Sequence, residues 1–284
     1  PGSIWSSLEG TIGRPSRMMA TIMLVISVAP LMAPLFGTAV LAFAGWRVIF
    51  VVLACLATLA LALVAFAQPE TLPAERREKV RVSSLLRGAR TLMTDPVFVG
   101  LTFVGGFGMA SFFVFIASAS FVYTGQYGLS ELGFSLAFAA NAVGFFGASQ
   151  VAGPLGQRFG MVPVIGRAVA GFAVFAALNF AFAAAGVQPL WLVMTLLFLG
   201  NACLGLVIPT VMVSALDPHG RIAGLASSLG GTMQMLTGGA MIAAASPFFD
   251  GTVLPMVAAI AVCALAAAAL AAVTLPRLAR MAPA

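Results

Sequence analysis

Charge is scarce in this sequence: only 8% of its 284 residues are charged, whereas 61% are hydrophobic. Soluble domains contain about a quarter charged residues and about half apolar ones. A chain of the present composition, folded in water, would expose more apolar surface than soluble monomers tolerate. The scarcity of charge therefore excludes a soluble globular protein and indicates one that folds in a lipid bilayer.

Residues that bind metals or perform nucleophilic catalysis are also few. The chain has one histidine, His219, and three cysteines, Cys55, Cys203 and Cys263, each in a separate apolar run. Metal sites and disulfide frameworks need such residues at close, repeated spacing. The sequence therefore predicts no metal site, no cofactor and no enzymatic activity. His219 is interpreted as a solvated residue of a turn, and the cysteines as small packing residues.

Long apolar runs, by contrast, are abundant. Eight of them are long enough to cross the hydrocarbon core as helices, which takes about 20 residues, and none alternates like a barrel strand. The predicted spans are Met18–Ala44, Trp46–Ala67, Pro96–Tyr123, Leu132–Gly153, Met161–Gly186, Pro189–Val213, Ile222–Ser246 and Thr252–Leu275. The predicted fold class is an all-α integral membrane protein with eight transmembrane helices.

The basic residues indicate how these spans are oriented. When successive connections alternate sides, thirteen lysines and arginines lie on one side of the membrane and Arg47 alone lies on the other. Positively charged short loops remain in the cytoplasm, so the C-terminus is predicted to be cytoplasmic. The net charge of +6 resides in these loops without the interleaved aromatic residues of a nucleic-acid groove, so no nucleic-acid partner is predicted.

One connection, residues 68–95, is much longer than the others. Within it Val82, Leu85, Leu86, Ala89 and Met93 recur at helical spacing, with arginines between them. The pattern is typical of an amphipathic helix on the inner membrane surface, and a solvated charged loop is the alternative. The predicted organisation is an unassigned segment 1–17, two spans in 18–67, this linker in 68–95, and six spans in 96–284.

The first span carries a motif of helix-bending and small residues, Pro30, Pro34 and Gly37. Each proline deletes a backbone hydrogen bond, and the glycine lets a neighbouring helix approach. The run resembles the antiporter signature on the fifth helix of drug exporters in the major facilitator superfamily. The segments Gly45–Phe50 and Pro69–Arg77 are similar to its Bcr/CflA type, the bacterial bicyclomycin- and chloramphenicol-type exporters.

Two further segments carry the same resemblance. Gly153, Gly156, Arg158 and Gly160 are similar to the cytoplasmic loop motif of the superfamily, although Gln157 stands where the family has an acid. The segment from residue 217 to residue 234 resembles the eleventh helix of the family. The resemblance implies that the eight spans correspond to helices 5–12 of a twelve-helix fold, and that the first four helices precede this sequence.

The resemblance also implies a function. The protein would be a monomeric multi-pass transporter of the bacterial inner (plasma) membrane, exchanging drugs or amphipathic metabolites for protons by alternating access. Its proton-carrying residues would lie in the first four helices. Two alternatives remain open: uptake of a nutrient by a major facilitator transporter, and a truncated or accessory membrane subunit without transport activity.

Polar and aromatic side chains inside the spans are the candidates for a substrate cavity. By the resemblance, the helices that carry them face a central cavity, where amides would bond a small molecule and aromatic rings would form walls. For each residue, interhelical bonding or lipid contact is the alternative. The candidates are Phe103, Phe107, Phe113, Tyr123, Asn141, Gln150, Asn201 and Gln234.

Overall fold

The structure, a computed structural model, describes residues 40, 43–67 and 82–281, apart from the side chains of Ala67, Val82, Arg221 and Met281. The helices are α1 (Trp46–Ala67), α2 (Val82–Thr94), α3 (Pro96–Ser120), α4 (Glu131–Phe159), α5 (Met161–Ala184), α6 (Leu190–Leu216), α7 (Ala223–Ala245) and α8 (Val253–Met281). The chain divides into two compact units, residues 1–79 and 80–284. Segment 1–17 and the motif residues Pro30, Pro34 and Gly37 lie outside the described residues.

Helices α1 and α3–α8 confirm the predicted spans that fall within the described residues. All of these except α7 are both long enough and apolar enough to cross a membrane. Helix α7 has 23 residues, about 35 Å at roughly 1.5 Å per residue, which suffices for a core of about 30 Å. Its glycines, serines and threonines lower its hydropathy, and small residues of this kind allow close helix packing in membranes.

Some helix ends differ from the predicted ones. Helix α4 continues beyond the predicted end at Gly153, through Pro154, to Phe159, and α6 ends at Leu216 rather than at the predicted Val213. A proline removes one backbone hydrogen bond, and in membrane helices neighbouring groups compensate for that loss. Helix α3 is extended by a π-helical turn, Phe121–Gln126, whose wider hydrogen-bond spacing has no simple sequence signal.

In the first unit, α1 is a helix of 22 residues whose only charged residue is Arg47. The Arg47 guanidinium carbon lies 4.6 Å from the centroid of the Trp46 ring. A cation above an aromatic ring is a favourable pair, and both residue types are common at membrane–water interfaces. The start of α1 therefore has the chemistry of an interfacial helix end.

The second unit is built around α3. This helix packs against α6, α7 and α8, while α4 packs against α6, and α5 packs against α6 and α8. Asp95 begins α3: its Oδ1 accepts a hydrogen bond from the Val97 amide at 2.8 Å, and Pro96 occupies the first helical position. Both features satisfy or remove amides that a helix start leaves unpaired.

For residues 82–94 the linker is helical, as the first of the two alternatives predicted. Helix α2 packs against α3 and α7. Leu92 is fully buried there, whereas Leu86 and Met93 are exposed. One side of α2 therefore packs against the second unit, whereas apolar side chains on another side of α2 are not covered by that unit. The position of α2 on a membrane surface stays a prediction.

Candidate functional site

Two of the predicted cavity residues, Asn141 of α4 and Asn201 of α6, contact each other. We call them the asparagine pair. Asn201 Nδ2 donates to Asn141 Oδ1 at 3.1 Å, and Asn141 Nδ2 donates to the carbonyl of Ala137, also at 3.1 Å. Asn141 is 2% exposed and Asn201 is 6% exposed. Because an unpaired amide in apolar surroundings costs free energy, the pair ties α4 to α6. Its role in substrate binding stays a prediction.

The two helices approach each other closely one turn beyond the asparagine pair. A Cβ atom on Gly205 would meet the Phe145 carbonyl oxygen and lie 2.9 Å from its carbonyl carbon. Phe145 and Gly205 each follow a member of the pair by four residues, so the same two helix faces carry both contacts. The missing side chain at Gly205 therefore permits the helix separation at which the asparagines bond.

Tyr123 lies in the π-helical turn and is completely buried. Its hydroxyl lies beside the Asn141 amide but makes no hydrogen bond of good geometry with a described residue. Its ring lies 6.5 Å from that of Phe115, which stacks on Phe138 at 5.8 Å between centroids. An aromatic cluster of α3 and α4 therefore adjoins the asparagine pair.

Two other predicted cavity residues, Gln234 and Phe113, lie at the contact between α3 and α7. Gln234 of α7 is buried against α3: a Cβ atom on Gly105 would lie 2.6 Å from Gln234 Nε2. Phe113 packs its ring against Gly238 of α7. Phe103 and Phe107 are half-buried on α3, and Gln150 is exposed on α4.

The predicted cytoplasmic loop motif forms the junction of α4 and α5. Gly160 alone separates the two helices, with φ of +83°, a backbone conformation that glycine adopts without steric cost. A Cβ atom on Gly156 would lie 2.8 Å from Met161 Cε, so the turn is tightly packed there. Arg158 is exposed, with its guanidinium carbon 5.2 Å from the Phe159 ring centroid. Gly153 is also exposed.

The interpretation of His219 as a solvated residue is wrong. Its Nε2 lies 2.8 Å from Asp95 Oδ2, the two side chains are 13% and 18% exposed, and its ring meets Phe98 edge-on at 5.7 Å. The 3₁₀ turn Asp217–Ile222 brings it onto the start of α3. Sequence reasoning missed this contact because the partners are 124 residues apart.

The opposite end of the unit is held by neutral hydrogen bonds. Gln126 accepts a bond from the Val253 amide at 2.6 Å and donates one to Gln188 Oε1 at 2.8 Å. The Tyr127 hydroxyl donates to the Gln188 carbonyl at 2.9 Å, and burial raises the pKa of that phenol. These bonds connect the end of α3 to the start of α8 and to the α5–α6 connection.

Together, the apolar helices, the buried amides and the one-residue turn define a polytopic α-helical membrane protein. The family model of the Major Facilitator Superfamily matches residues 13–242. The chain belongs to the Major Facilitator Superfamily, and the predicted resemblance to that superfamily is confirmed.

Among its relatives is a bicyclomycin resistance protein homolog of Haemophilus influenzae, 31% identical over 87% of this chain and 62% of the relative. An uncharacterized MFS-type transporter of Bacillus subtilis is 28% identical over 78% of this chain and 56% of the relative. A chloramphenicol resistance protein of Pseudomonas aeruginosa is 32% identical over 60% of this chain and 41% of its own length. The matched part thus spans less than two thirds of each relative, and the predicted Bcr/CflA-type likeness is confirmed.

Proposed function

We propose that this protein acts in the efflux of drugs or small amphipathic metabolites, exchanged for protons by alternating access. The names of two relatives, which refer to bicyclomycin and chloramphenicol resistance, support this activity. Alternating access moves one bundle of helices against another as nearly rigid bodies. The second unit suits such a movement, because long-range hydrogen bonds tie its helices together at both ends.

The proposal includes the setting of the protein. It is a monomer in the bacterial inner membrane, with lipid, protons and a small molecule as its partners and with a cytoplasmic C-terminus. Four described arginines support this orientation, since Arg158, Arg167, Arg277 and Arg280 lie at or near helix ends on the side of the α4–α5 junction. The sequence candidates on α3, α4, α6 and α7 contribute to the substrate cavity.

Inverted membrane vesicles test the transport activity. The protein is expressed from its complete coding sequence, and inverted vesicles are prepared from the cells. Respiration pumps protons into the vesicle lumen, and a pH-sensitive dye reports the resulting gradient. Chloramphenicol or bicyclomycin should release protons from the lumen, because each exchange admits drug and expels protons. Vesicles from cells lacking the protein are the control. Identical dye signals in both preparations, together with unchanged drug tolerance of the cells, contradict the proposal.

Cysteine labelling tests the orientation independently. In the variant R280C, a membrane-impermeant maleimide should label inverted vesicles but not intact cells, because the side chain lies on the cytoplasmic side. Cys55, Cys203 and Cys263 all lie within helices α1, α6 and α8, and the unmodified protein provides their background. Labelling of intact cells at position 280 contradicts the cytoplasmic C-terminus.

A further inference from the structure

A cavity of about 630 Å³ lies at the α4–α5 junction, between the start of α5 and the ends of α6 and α8. Its walls are mainly apolar and include Val162, Val213 and Leu278. Pockets for drug-sized molecules have volumes of about 300–1,000 Å³, so the cavity can hold a large part of a lipid molecule. Because membrane helices begin and end here, the cavity lies near the level at which the hydrocarbon core meets the lipid headgroups.

One polar side chain in this lining is buried and unpaired. Ser214 of α6 lines the cavity and is only 6% exposed. Its hydroxyl oxygen has no hydrogen-bond partner among the described residues. Serines within helices commonly bond a carbonyl one turn earlier, and a buried hydroxyl without a partner costs free energy. The Ser214 hydroxyl is therefore free to donate a hydrogen bond to an acceptor atom of a molecule in the cavity.

The start of α5 also faces the cavity, because Gly160, Met161 and Val162 line it. The first amides of a helix have no partner within the helix, and no side chain of a described residue caps α5. A helix of 24 residues carries partial positive charge at its N-terminus and attracts anions such as phosphate there. The cavity therefore offers two kinds of hydrogen-bond donor, the first amides of α5 and the hydroxyl of Ser214.

Arginines surround the cavity. The Arg158 guanidinium carbon lies 5.2 Å from the ring centroid of Phe159, which is a lining residue, so its charge is held beside the cavity. Arg277 and Arg280 each adjoin a lining residue of α8 in the sequence. The one charged residue of the lining itself is Asp217, which is exposed. Basic pockets between membrane helices at the cytoplasmic side bind anionic lipid headgroups.

We propose that this cavity binds an anionic glycerophospholipid of the phosphatidylglycerol kind. Its phosphate lies at the start of α5 beside Arg158, and the Ser214 hydroxyl donates to an ester carbonyl. Ser214 precedes Asp217 by three residues and lies about 4.5 Å deeper along α6, as the ester groups of a lipid lie deeper than its headgroup. The Asp217 carboxylate accepts hydrogen bonds from the headgroup hydroxyls, and the apolar walls hold an acyl chain. The site is additional to the proposed efflux function and does not depend on it.

Thermal unfolding in the presence of short-chain lipids tests the site. The protein, expressed from its complete coding sequence and purified in lipid-free detergent, is titrated with dihexanoyl phosphatidylglycerol, and its unfolding is followed by circular dichroism. A ligand that binds only the folded state raises the midpoint of unfolding. Phosphatidylglycerol should raise the midpoint at lower concentrations than dihexanoyl phosphatidylcholine, whose headgroup has no net charge and no hydroxyl. Inorganic phosphate should not raise it, because phosphate lacks the acyl chain.

The variant S214A separates lipid binding from helix packing. Without lipid, S214A should be at least as stable as wild type, because the hydroxyl that it removes has no partner among the described residues. Its apparent affinity for phosphatidylglycerol should be weaker by up to about tenfold, the factor for one lost hydrogen bond. A hydroxyl that served only helix packing would give the opposite pattern, with lower stability in the absence of lipid and an unchanged affinity.

The variant R158Q tests the contribution of charge. It should weaken the binding of phosphatidylglycerol by up to about fivefold, as expected for the loss of one exposed ion pair. The matched control is R167Q, which removes the same charge from α5 at the same end of the unit but outside the cavity lining, and it should leave the affinity unchanged.

Four results overturn the site. They are equal affinities of wild type and S214A, equal losses in R158Q and R167Q, equal stabilisation by phosphatidylcholine and phosphatidylglycerol, and stabilisation by inorganic phosphate alone, which would make a free anion the occupant. The vesicle assay measures efflux separately, so a failure of the lipid site and a failure of the efflux proposal are distinguishable.

Discussion

Replacing Gly205 with alanine tests whether the close approach of α4 and α6 sets the geometry of the asparagine pair. The added Cβ would meet the backbone carbonyl of Phe145. Backbone atoms of a packed helix cannot rotate away as the end of a side chain can, so the helices must separate. Separation one turn from Asn141 and Asn201 lengthens their 3.1 Å hydrogen bond.

The expected magnitude combines three effects. Overpacking costs about 1–3 kcal/mol, and loss of an interhelical hydrogen bond in a membrane protein costs about 0.6 kcal/mol. Alanine recovers up to about 1 kcal/mol because it favours a helix more than glycine does. We expect a net loss of about 2 kcal/mol in the free energy of unfolding, roughly a 30-fold change in the unfolding equilibrium.

The assay is unfolding of the purified protein from mild detergent by sodium dodecyl sulfate, followed by circular dichroism. G147A is the matched control, because Gly147 lies on α4 and a Cβ there would meet no described atom within 4 Å. It should be as stable as wild type or slightly more stable, since the gain in helix propensity then acts alone. Equal stabilities of G205A and G147A refute the reasoning.

Three further predictions concern polar contacts of the second unit. Asn201→Leu should lower the free energy of unfolding by about 1–3 kcal/mol, because it leaves the buried Asn141 Oδ1 without its donor. A double-mutant cycle with leucine at both positions of the asparagine pair should show less than additive losses. Asp95→Ala should destabilise the protein by about 1 kcal/mol more than His219→Ala, because only the former also removes a helix cap; equal losses contradict the cap. Thr252→Val should raise the pKa of Asp250, measured by carbon-detected NMR titration, because a hydrogen bond to the carboxylate is lost. A carboxyl whose pKa is depressed in the folded protein contributes stability that is lost as the pH falls through that pKa. Wild type should therefore lose slightly more stability than the variant on acidification.

The helices were predictable because their signals are local. Apolar runs define where each span lies, and pairs such as Asp95–Pro96 define where a helix starts. The helical spacing of apolar residues in 82–94 was compatible with α2 but could not exclude a solvated loop. An amphipathic helix needs a surface against which its apolar side packs, and the sequence does not show that surface. In the structure residues 82–94 are helical, and α3 and α7 provide a surface on which α2 packs. The predicted end of α4 at Gly153, next to Pro154, was too early because the neighbours that compensate for a missing backbone hydrogen bond are unknown from sequence.

The contacts of the candidate site were less predictable because they are not local. Sequence reasoning placed Asn141 and Asn201 inside spans, and both are buried there, but their mutual bond depends on the separation that Gly205 permits. The contact of His219 with Asp95 joins two loops whose proximity only the packed helices create. A single histidine near a helix start, with an acid at another start on the same side, is the signal that could have suggested it.

The two ends of the second unit are tied in chemically different ways, and the difference bears on how the unit can move. At one end an acid and a histidine connect α3 to the α6–α7 turn, and at the other, neutral amides connect α3 to α8 and to the α5–α6 connection. Both sets lie within the unit, so a rocking motion of the whole unit breaks none of them. A movement in which α3 alone bends would break the contacts at both ends of the unit. The proposed alternating access should therefore proceed by movement of the intact unit, and variants at these contacts should lower the stability of the unit rather than change its orientation.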